Sequence, residues 1–198
     1  MATTDILSID EARQAIMAPD QRNDEWLALM VSAVSQRIDK ITGPVVNRSV
    51  TEYHDGGTTE ILPRSRPIYS IASLVEYRWT TPITLSVETL GTAPSDAYIL
   101  RPDGAVMRRQ GGWTWQFWPG RGNIVLTYTA GRAATTAAVP ETFKQAAMIT
   151  VAHIWRNENG SGNTTFGADG PATFIASYSI PNRAMELLAG ETRSWGIA

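Results

Sequence analysis

The sequence contains no cysteine and only two histidines among its 198 residues. Without cysteine the chain can form no disulfide, no thiolate nucleophile and no cysteine-based metal site, which fits a protein made and kept in a reducing cytoplasm. Charged residues are also scarce, at 18% of the chain against the roughly 25% typical of soluble domains. So little charge leaves more neutral surface than a free monomer usually needs, and it indicates burial in an assembly.

Long hydrophobic runs and a strong net charge are absent as well. No run approaches the roughly 18 apolar residues of a membrane span, and the N-terminal sequence MATTDILSIDEARQ lacks the apolar centre of a secretion signal. The formal net charge is -2, so no global positive field attracts the chain to nucleic acid or anionic membrane. We therefore expect no membrane insertion and no DNA-binding function.

The stretch 123–157 organises the chain, because a strand there is followed by a long helix. Apolar and β-branched residues alternate over 123–129, which predicts a strand that ends at Gly131. The sequence Val139-Pro140-Glu141 is typical of a helix start, since proline is tolerated in the first turn and glutamate complements the helix dipole. Apolar residues then recur at helical spacing, which predicts a helix over 140–157.

Two helices are predicted before the β-rich part of the chain. Ser8 and Glu11 have the spacing of a capping box and predict a short first helix that ends near Pro19. Apolar residues at spacings of three and four then predict a helix over 23–42, which Gly43-Pro44 ends. A final short helix is expected near 180–188, with Pro181 at its start.

Between these helices the pattern changes to short β-prone runs separated by turn residues. We predict an antiparallel β unit, with a turn at Thr81-Pro82 and strands near 45–53, 59–62, 71–79, 84–90, 97–100, 105–108 and 123–129. The predicted fold class is α+β in one domain. It divides into N-terminal helices (1–43), a β insertion (44–130), a long helix (131–157), and a mobile Gly-rich loop with a flexible C-terminal arm (158–198).

This order of elements resembles the head-to-tail connector, or adaptor, proteins of tailed bacteriophages. The resemblance rests on SIDEA at 8–12, ITG at 41–43, ILPR at 61–64, PIYSI at 67–71, VLTYTAG at 125–131, VPE at 139–141 and AHIW at 152–155, in that order. The Gly-rich loop and the aromatic cluster described below depart from the family pattern.

The resemblance implies a structural virion protein without enzymatic activity, cofactor or metal. Such subunits form a ring, expected to be dodecameric, that binds the portal protein in the virion neck and offers a surface to a stopper or tail-completion protein. DNA passes through the channel of the ring without sequence-specific binding, and the C-terminal tail engages the portal. We therefore expect synthesis in the host cytoplasm and a final location at the head-tail junction.

The most unusual local feature is GGWTWQFWPG at 111–120, with four aromatic residues in six. If this segment is a strand, Trp113, Trp115 and Phe117 share one face and Trp118 lies on the other. Tryptophan is enriched at interface hot spots, yet the same rings could instead cover the core of the β unit, or bind sugars as a carbohydrate-binding or tail-associated module. The expected partner or subunit contacts are Trp113, Trp115, Phe117, Trp118, Arg121, Trp195 and Ile197.

Arginines flank this cluster and suggest a locally basic region, namely Arg64, Arg66, Arg101, Arg108, Arg109 and Arg121. A basic region could bind an acidic portal or neighbouring subunit, but ordinary solvated charge is the interpretation we favour. His54 stands beside Asp55, which could serve acid–base chemistry in a hydrolase. The following Gly56-Gly57 favours a simple turn instead. His153, on the flank of the long helix, is expected to be packed or hydrogen-bonded.

Overall fold

The computed structural model describes residues 4–18, 20–159 and 180–191. The chain divides into two compact units, one formed by Met1–Val46 with Ala133–Ala198 and the other by Asn47–Arg132. The second unit coincides closely with the predicted β insertion at 44–130. Most of the predicted Gly-rich loop and the end of the C-terminal arm, with Trp195 and Ile197, lie outside the described residues.

The first unit is helical. Its helices are α1 (Ile9–Ile16), α2 (Asp24–Thr42), α3 (Glu141–Asn159) and α4 (Asn182–Leu188), with short 3-10 turns at Thr136–Ala138 and Ala189–Glu191. The predicted capping box is confirmed, because Ser8 accepts the backbone N–H of Glu11 while the Glu11 side chain accepts the N–H of Ser8. None of the described helices is both long and apolar enough to cross a membrane.

The apolar stripes of these helices form one core. Leu27, Val31 and Ile38 of α2 pack with Phe143 and Val151 of α3 in the same buried cluster. At their edge the rings of Trp26 and Trp155 meet edge to face, with their centroids 5.0 Å apart. The helical spacing seen in the sequence therefore identifies the buried faces of α2 and α3, and the α+β class is confirmed.

The second unit contains two sheets. Its strands are β1 (Arg48–His54), β2 (Glu60–Ile61), β3 (Ile68–Arg78), β4 (Thr81–Thr84), β5 (Ser86–Val87), β6 (Ala97–Leu100), β7 (Val106–Gln110), β8 (Trp113–Thr114) and β9 (Ile124–Ala130). The first sheet has the order β1-β9-β3-β4, and the second has the order β2-β7-β6-β5, with β8 paired to β7. Apolar residues of both sheets form the core between them, among them Leu74 and Leu126 from the first sheet and Tyr98 and Val106 from the second.

The structure corrects two details of the β prediction. The unit is not wholly antiparallel, because β5 and β6 pair in parallel. The turn expected at Thr81-Pro82 is wrong, since both residues belong to β4, where Pro82 faces Tyr77 of β3. Proline is tolerated there because β4 is the last strand of its sheet and has a free edge. The chain reverses one step earlier, at Trp79.

Candidate interaction surface

The tryptophans of the 111–120 segment lie on the surface of the β unit. Trp113 is 77% exposed, Trp115 54% and Trp118 40%. The segment forms a strand only at Trp113–Thr114, where β8 pairs with β7, and it then continues as a loop. Exposure of large apolar rings to water is unfavourable, and clusters of such rings are typical of interaction surfaces.

Phe117 departs from this pattern and corrects one predicted contact. Its ring is completely buried in the core between the two sheets, so it is not accessible to a partner. The predicted face shared by Trp113, Trp115 and Phe117 is therefore wrong, because the strand ends at Thr114 and the period of two does not extend to Phe117. Phe117 instead anchors the loop from which Trp118 extends.

Backbone hydrogen bonds hold this loop against the turn after β1. The N–H of Gly56 donates to the carbonyl of Gly120 at 2.8 Å, and the N–H of Gly57 donates to the carbonyl of Phe117 at 3.0 Å. A Cβ atom added to Gly56 would lie 1.8 Å from the carbonyl oxygen of Trp118. Only glycine at position 56 permits the loop to approach so closely.

A group of largely buried charged side chains packs against the inner side of this loop. The Arg108 side chain donates to Asp96 Oδ1 at 2.5 Å and lies 3.6 Å from Glu76 Oε2. Arg78 donates to the same two carboxylates, and its guanidinium carbon lies 5.8 Å from the centroid of the Trp118 ring. Glu76 also accepts the backbone N–H of Trp118 at 2.5 Å. The orientation of Trp118 is thus fixed by both its backbone and its ring.

These charges also shift the pKa of Asp96. Partial burial alone raises the pKa of this carboxyl group, but the hydrogen bonds from Arg78 and Arg108 outweigh it and hold the pKa below its ordinary value. Asp96 therefore stays ionised at neutral pH and neutralises the buried arginine.

Three of the six arginines of the predicted basic region, Arg101, Arg108 and Arg109, are paired with carboxylates. Arg101 is paired with Glu60 at 3.0 Å and with Asp103 at 2.9 Å, and Arg109 is paired with Glu88 at 3.1 Å. Arg108 is buried rather than solvated. Arg121, a predicted contact residue, is exposed at the end of the aromatic loop. The arginines near the aromatic cluster therefore do not form a uniformly basic surface.

His54 does not pair with Asp55. Its Nε2 atom lies 3.1 Å from Glu52 Oε2, while the Asp55 carboxylate accepts the N–H of Gly122 at 2.6 Å. Tyr128 donates to the other oxygen of Glu52 at 2.7 Å, and burial together with this bond raises the pKa of Tyr128 to about 12. The turn interpretation of Asp55 agrees with this geometry.

The predicted hydrogen bonding of His153 is also present, because its Nε2 atom lies 3.2 Å from Asn157 Nδ2. Within the described residues, no three histidine, aspartate or glutamate side chains cluster closely enough to hold a metal ion.

Among the exposed apolar residues that were not predicted as contacts, Trp79 and Leu90 have the highest exposure. Trp79 is 88% exposed at the β3–β4 turn and adopts a φ of 60°, a left-handed conformation that is unfavourable for a bulky side chain. Leu90 is fully exposed in the loop between β5 and β6. The predicted strands 71–79 and 84–90 end at these two residues, whereas β3 ends at Arg78 and β5 at Val87, so both residues lie in turns.

We compared this fold with those of known proteins. No family model and no curated protein sequence matches the chain. Among solved structures, it is similar to a chain from the neck of an empty gene transfer agent particle, computed with C6 symmetry. The TM-score is 0.62 at 18% identity, covering 96% of this chain and 92% of that chain.

Two further structures give the same result. A chain from the virion of a native gene transfer agent particle is similar with a TM-score of 0.61 at 18% identity, covering 96% of this chain and 92% of that chain. A chain from the neck of a native particle, computed with C12 symmetry, has a TM-score of 0.53 at 16% identity, covering 99% and 98%. The resemblance to head-to-tail connector proteins is thus confirmed at the level of the fold, which this chain shares with chains of phage-like gene transfer agent particles.

Proposed function

We propose that the chain is a structural subunit of the neck of a tailed, phage-like particle, where copies form a ring between the portal and the stopper or tail. The observation that carries this proposal is the similarity of fold over almost the whole length of both chains, to chains in particle necks computed with C6 and C12 symmetry. The C12 structure supports a dodecamer, although the copy number is part of the proposal.

The surface of the β unit supports an assembled protein. Trp79, Trp113 and Trp115 are all more than half exposed, and Trp79 holds a strained backbone conformation without burying its ring in its own unit. An exposed tryptophan of this kind stabilises a complex only when a partner buries its ring away from water. We assign Trp113, Trp115, Trp118 and Arg121 to contacts with neighbouring subunits, and Trp79 with them.

The charge distribution supports a passive channel for DNA. The net charge is -2, and Arg101, Arg108 and Arg109 are paired with carboxylates, so they are not available as a row of phosphate contacts. DNA therefore passes through the ring without sequence-specific binding. We propose that the protein acts by binding its neighbours and not by catalysis. Trp195 and Ile197 of the C-terminal tail are proposed to contact the portal.

Deletion of the gene from the particle that encodes it tests the proposed function. We expect filled heads that lack tails, because the ring joins the two parts after synthesis of the subunit in the host cytoplasm. Supply of the intact protein from a plasmid should restore tailed particles. Complete tailed particles from the deletion would contradict the proposal, and binding of soluble glycans that requires Trp113 and Trp115 would favour a carbohydrate-binding module instead.

A further inference from the structure

In the part of the chain that the structure describes, the outward face of the first sheet is exposed and its strands present no charged side chain on it. The register places Thr51 of β1, Thr127 of β9 and Ser73 of β3 in one row across the sheet, with Tyr53, Val125 and Val75 in the next row. The other outward residues are Ser49, Thr129, Ser70, Tyr77, Pro82 and Thr84, with Tyr69 and Ala72 exposed at the two register shifts of β3, and none of these residues is buried. The charged residues of the same strands, such as Glu52 and Glu76, point to the inner face.

The second sheet differs in this respect. Its outward side carries the Arg109–Glu88 pair and Glu60, which bonds Arg101. Exposed sheet faces normally carry charges in this way, since water solvates them at little cost. On the first sheet the hydroxyl groups of Thr51 and Thr127 instead lie 3.1 Å apart and bond each other across the strands. A face of this composition is inexpensive to dehydrate, because no ion must lose its water.

The composition of the face limits its partner. A face without cations offers nothing to phosphate groups, which excludes DNA as the occupant. A face without charges of either sign gains nothing from a charged protein surface, so the partner must itself be uncharged where it makes contact. We call the outward face of the first sheet the flat face, because most of its side chains are short and cannot enclose a deep groove, so the apolar groups of the partner must protrude.

The same chain carries a second surface that meets these requirements. Leu90 is fully exposed in the loop after β5, and Trp113 is 77% exposed in β8. The two loops lie together, because the N–H of Gly111 donates to the carbonyl of Pro94 at 2.9 Å. We call this pair of loops the Leu90–Trp113 protrusion. It belongs to the second sheet, which packs on the inner face of the first, so the two surfaces lie on different sides of one unit. Arg109 donates hydrogen bonds to Gly112 and Thr114 of the protrusion, and its charge is neutralised by Glu88 at 3.1 Å.

A ring of more than two copies requires two different surfaces on each subunit, because each copy must bind one neighbour on either side. We propose that the outward face of the first sheet receives the Leu90–Trp113 protrusion of the next copy. This inference rests on the proposed ring and identifies its subunit interface. Each copy contributes the flat face to one neighbour and the protrusion to the other.

The absence of cysteine from the chain makes this geometry directly measurable. In full-length protein, Thr127→Cys places one thiol on the flat face and Leu90→Cys places one on the protrusion. With a short bismaleimide, we expect the double variant to form a covalent ladder, each single variant to remain monomeric, and a mixture of the two single variants to stop at dimers. A matched control pairs Thr127→Cys with Ala33→Cys, which is exposed on α2 in the other unit, outside both surfaces.

Several outcomes of the cross-linking would overturn the inference. Dimers of Thr127→Cys alone would show that two flat faces pair with each other. A ladder from the control pair would show that the interface lies elsewhere. A ring seen by light scattering that gives no ladder would show the same, and in both cases the proposed ring would still stand. If the protein assembles neither alone nor with the portal ring of its particle, both the proposed interface and the proposed function are wrong.

A charge on the flat face gives an independent measurement. Thr127→Lys is expected to weaken self-association by at least about tenfold, since the ammonium group must be buried without a counter-ion. Ala33→Lys on α2 serves as the control and is expected to change association less than about twofold, because a solvated surface charge costs little. Thermal unfolding of both monomers should stay close to that of the unmodified chain. Unchanged association of folded Thr127→Lys would overturn the assignment.

Discussion

Asp96 accepts a hydrogen bond from Arg108 at 2.5 Å, and the arginine side chain is 1% exposed while the aspartate is 30% exposed. The pair connects the start of β6 to β7, inside the second unit. Replacement of Asp96 by asparagine removes the charge that compensates the buried guanidinium, although Glu76 remains 3.6 Å away. We expect the free energy of unfolding to fall by about 2 kcal/mol, measured by urea denaturation.

The matched control is Asp103→Asn. Asp103 also pairs with an arginine, Arg101, but the two side chains are 53% and 40% exposed. A solvated pair of this kind contributes at most about 1 kcal/mol. Equal losses of stability from the two variants would contradict the importance of the buried pair.

The same pair predicts loss of stability in acid. The pKa of Asp96 in the folded chain lies below its ordinary value of 3.8, so the folded state binds fewer protons than the unfolded state as acid is added. The stabilisation is therefore fully present well above the ordinary pKa of 3.8, and it is lost in the acid range below that value, as the pH falls through the lowered pKa of the folded chain. Denaturation across this range should show a shallower decline for Asp96→Asn than for the unmodified chain or Asp103→Asn. The same slope in all three proteins would contradict this assignment.

Glu52 contributes with the same sign. Partial burial raises its pKa, but hydrogen bonds from the backbone of Arg64 and the hydroxyl of Tyr128 outweigh that effect and hold the pKa below the ordinary value of 4.5. Asp96→Asn should therefore retain some acid sensitivity, and the removal of both carboxylates should flatten the profile further.

Phe117 and Trp113 are four residues apart and have opposite expected effects. Phe117→Ala empties a site in the core between the sheets, so we expect a loss of about 3–5 kcal/mol in the free energy of unfolding. Trp113→Ala removes an exposed ring, so stability should stay within about 0.5 kcal/mol while association weakens. Denaturation and light scattering on both variants check the pair. A Trp113→Ala protein that loses stability like Phe117→Ala would show that its ring belongs to the core.

Gly56 determines how closely the aromatic loop approaches β1. A methyl group at this position would meet the Trp118 carbonyl oxygen at 1.8 Å, which is impossible without displacement of the loop. We expect Gly56→Ala to lower the free energy of unfolding by about 1–3 kcal/mol and to change tryptophan fluorescence. Gly91→Ala is the control, because no atom lies within 4 Å of its added methyl group. Unaltered fluorescence and stability in Gly56→Ala would contradict the close approach.

The sequence predicts the helices well because their signals are local. The capping box of Ser8 and Glu11, Pro140 before α3 and the apolar stripe of α2 all depend on residues within a few turns of one another. The bounds of α2 and α3 consequently agree with the prediction to within about two residues, the uncertainty usual for helix ends.

The sheets and the candidate surface are harder to predict, because strand pairs join residues that are distant in the chain. The burial of Arg108 depends on Asp96 and Glu76, which lie on other strands or loops. Phe117 turns inward because β8 ends at Thr114, and the residue composition of the segment does not predict where this strand ends. The uncharged face of the first sheet becomes visible only when the register aligns Thr51, Ser73 and Thr127.

Copies of this chain are proposed to form a ring in a particle neck. The most direct measurement is the mass of the purified full-length protein by light scattering, alone over a range of concentrations and then mixed with the portal ring of its particle. We expect a closed oligomer of defined mass, or a monomer that assembles to that mass on the portal. A monomer at every concentration that also fails to bind the portal would contradict the proposed ring.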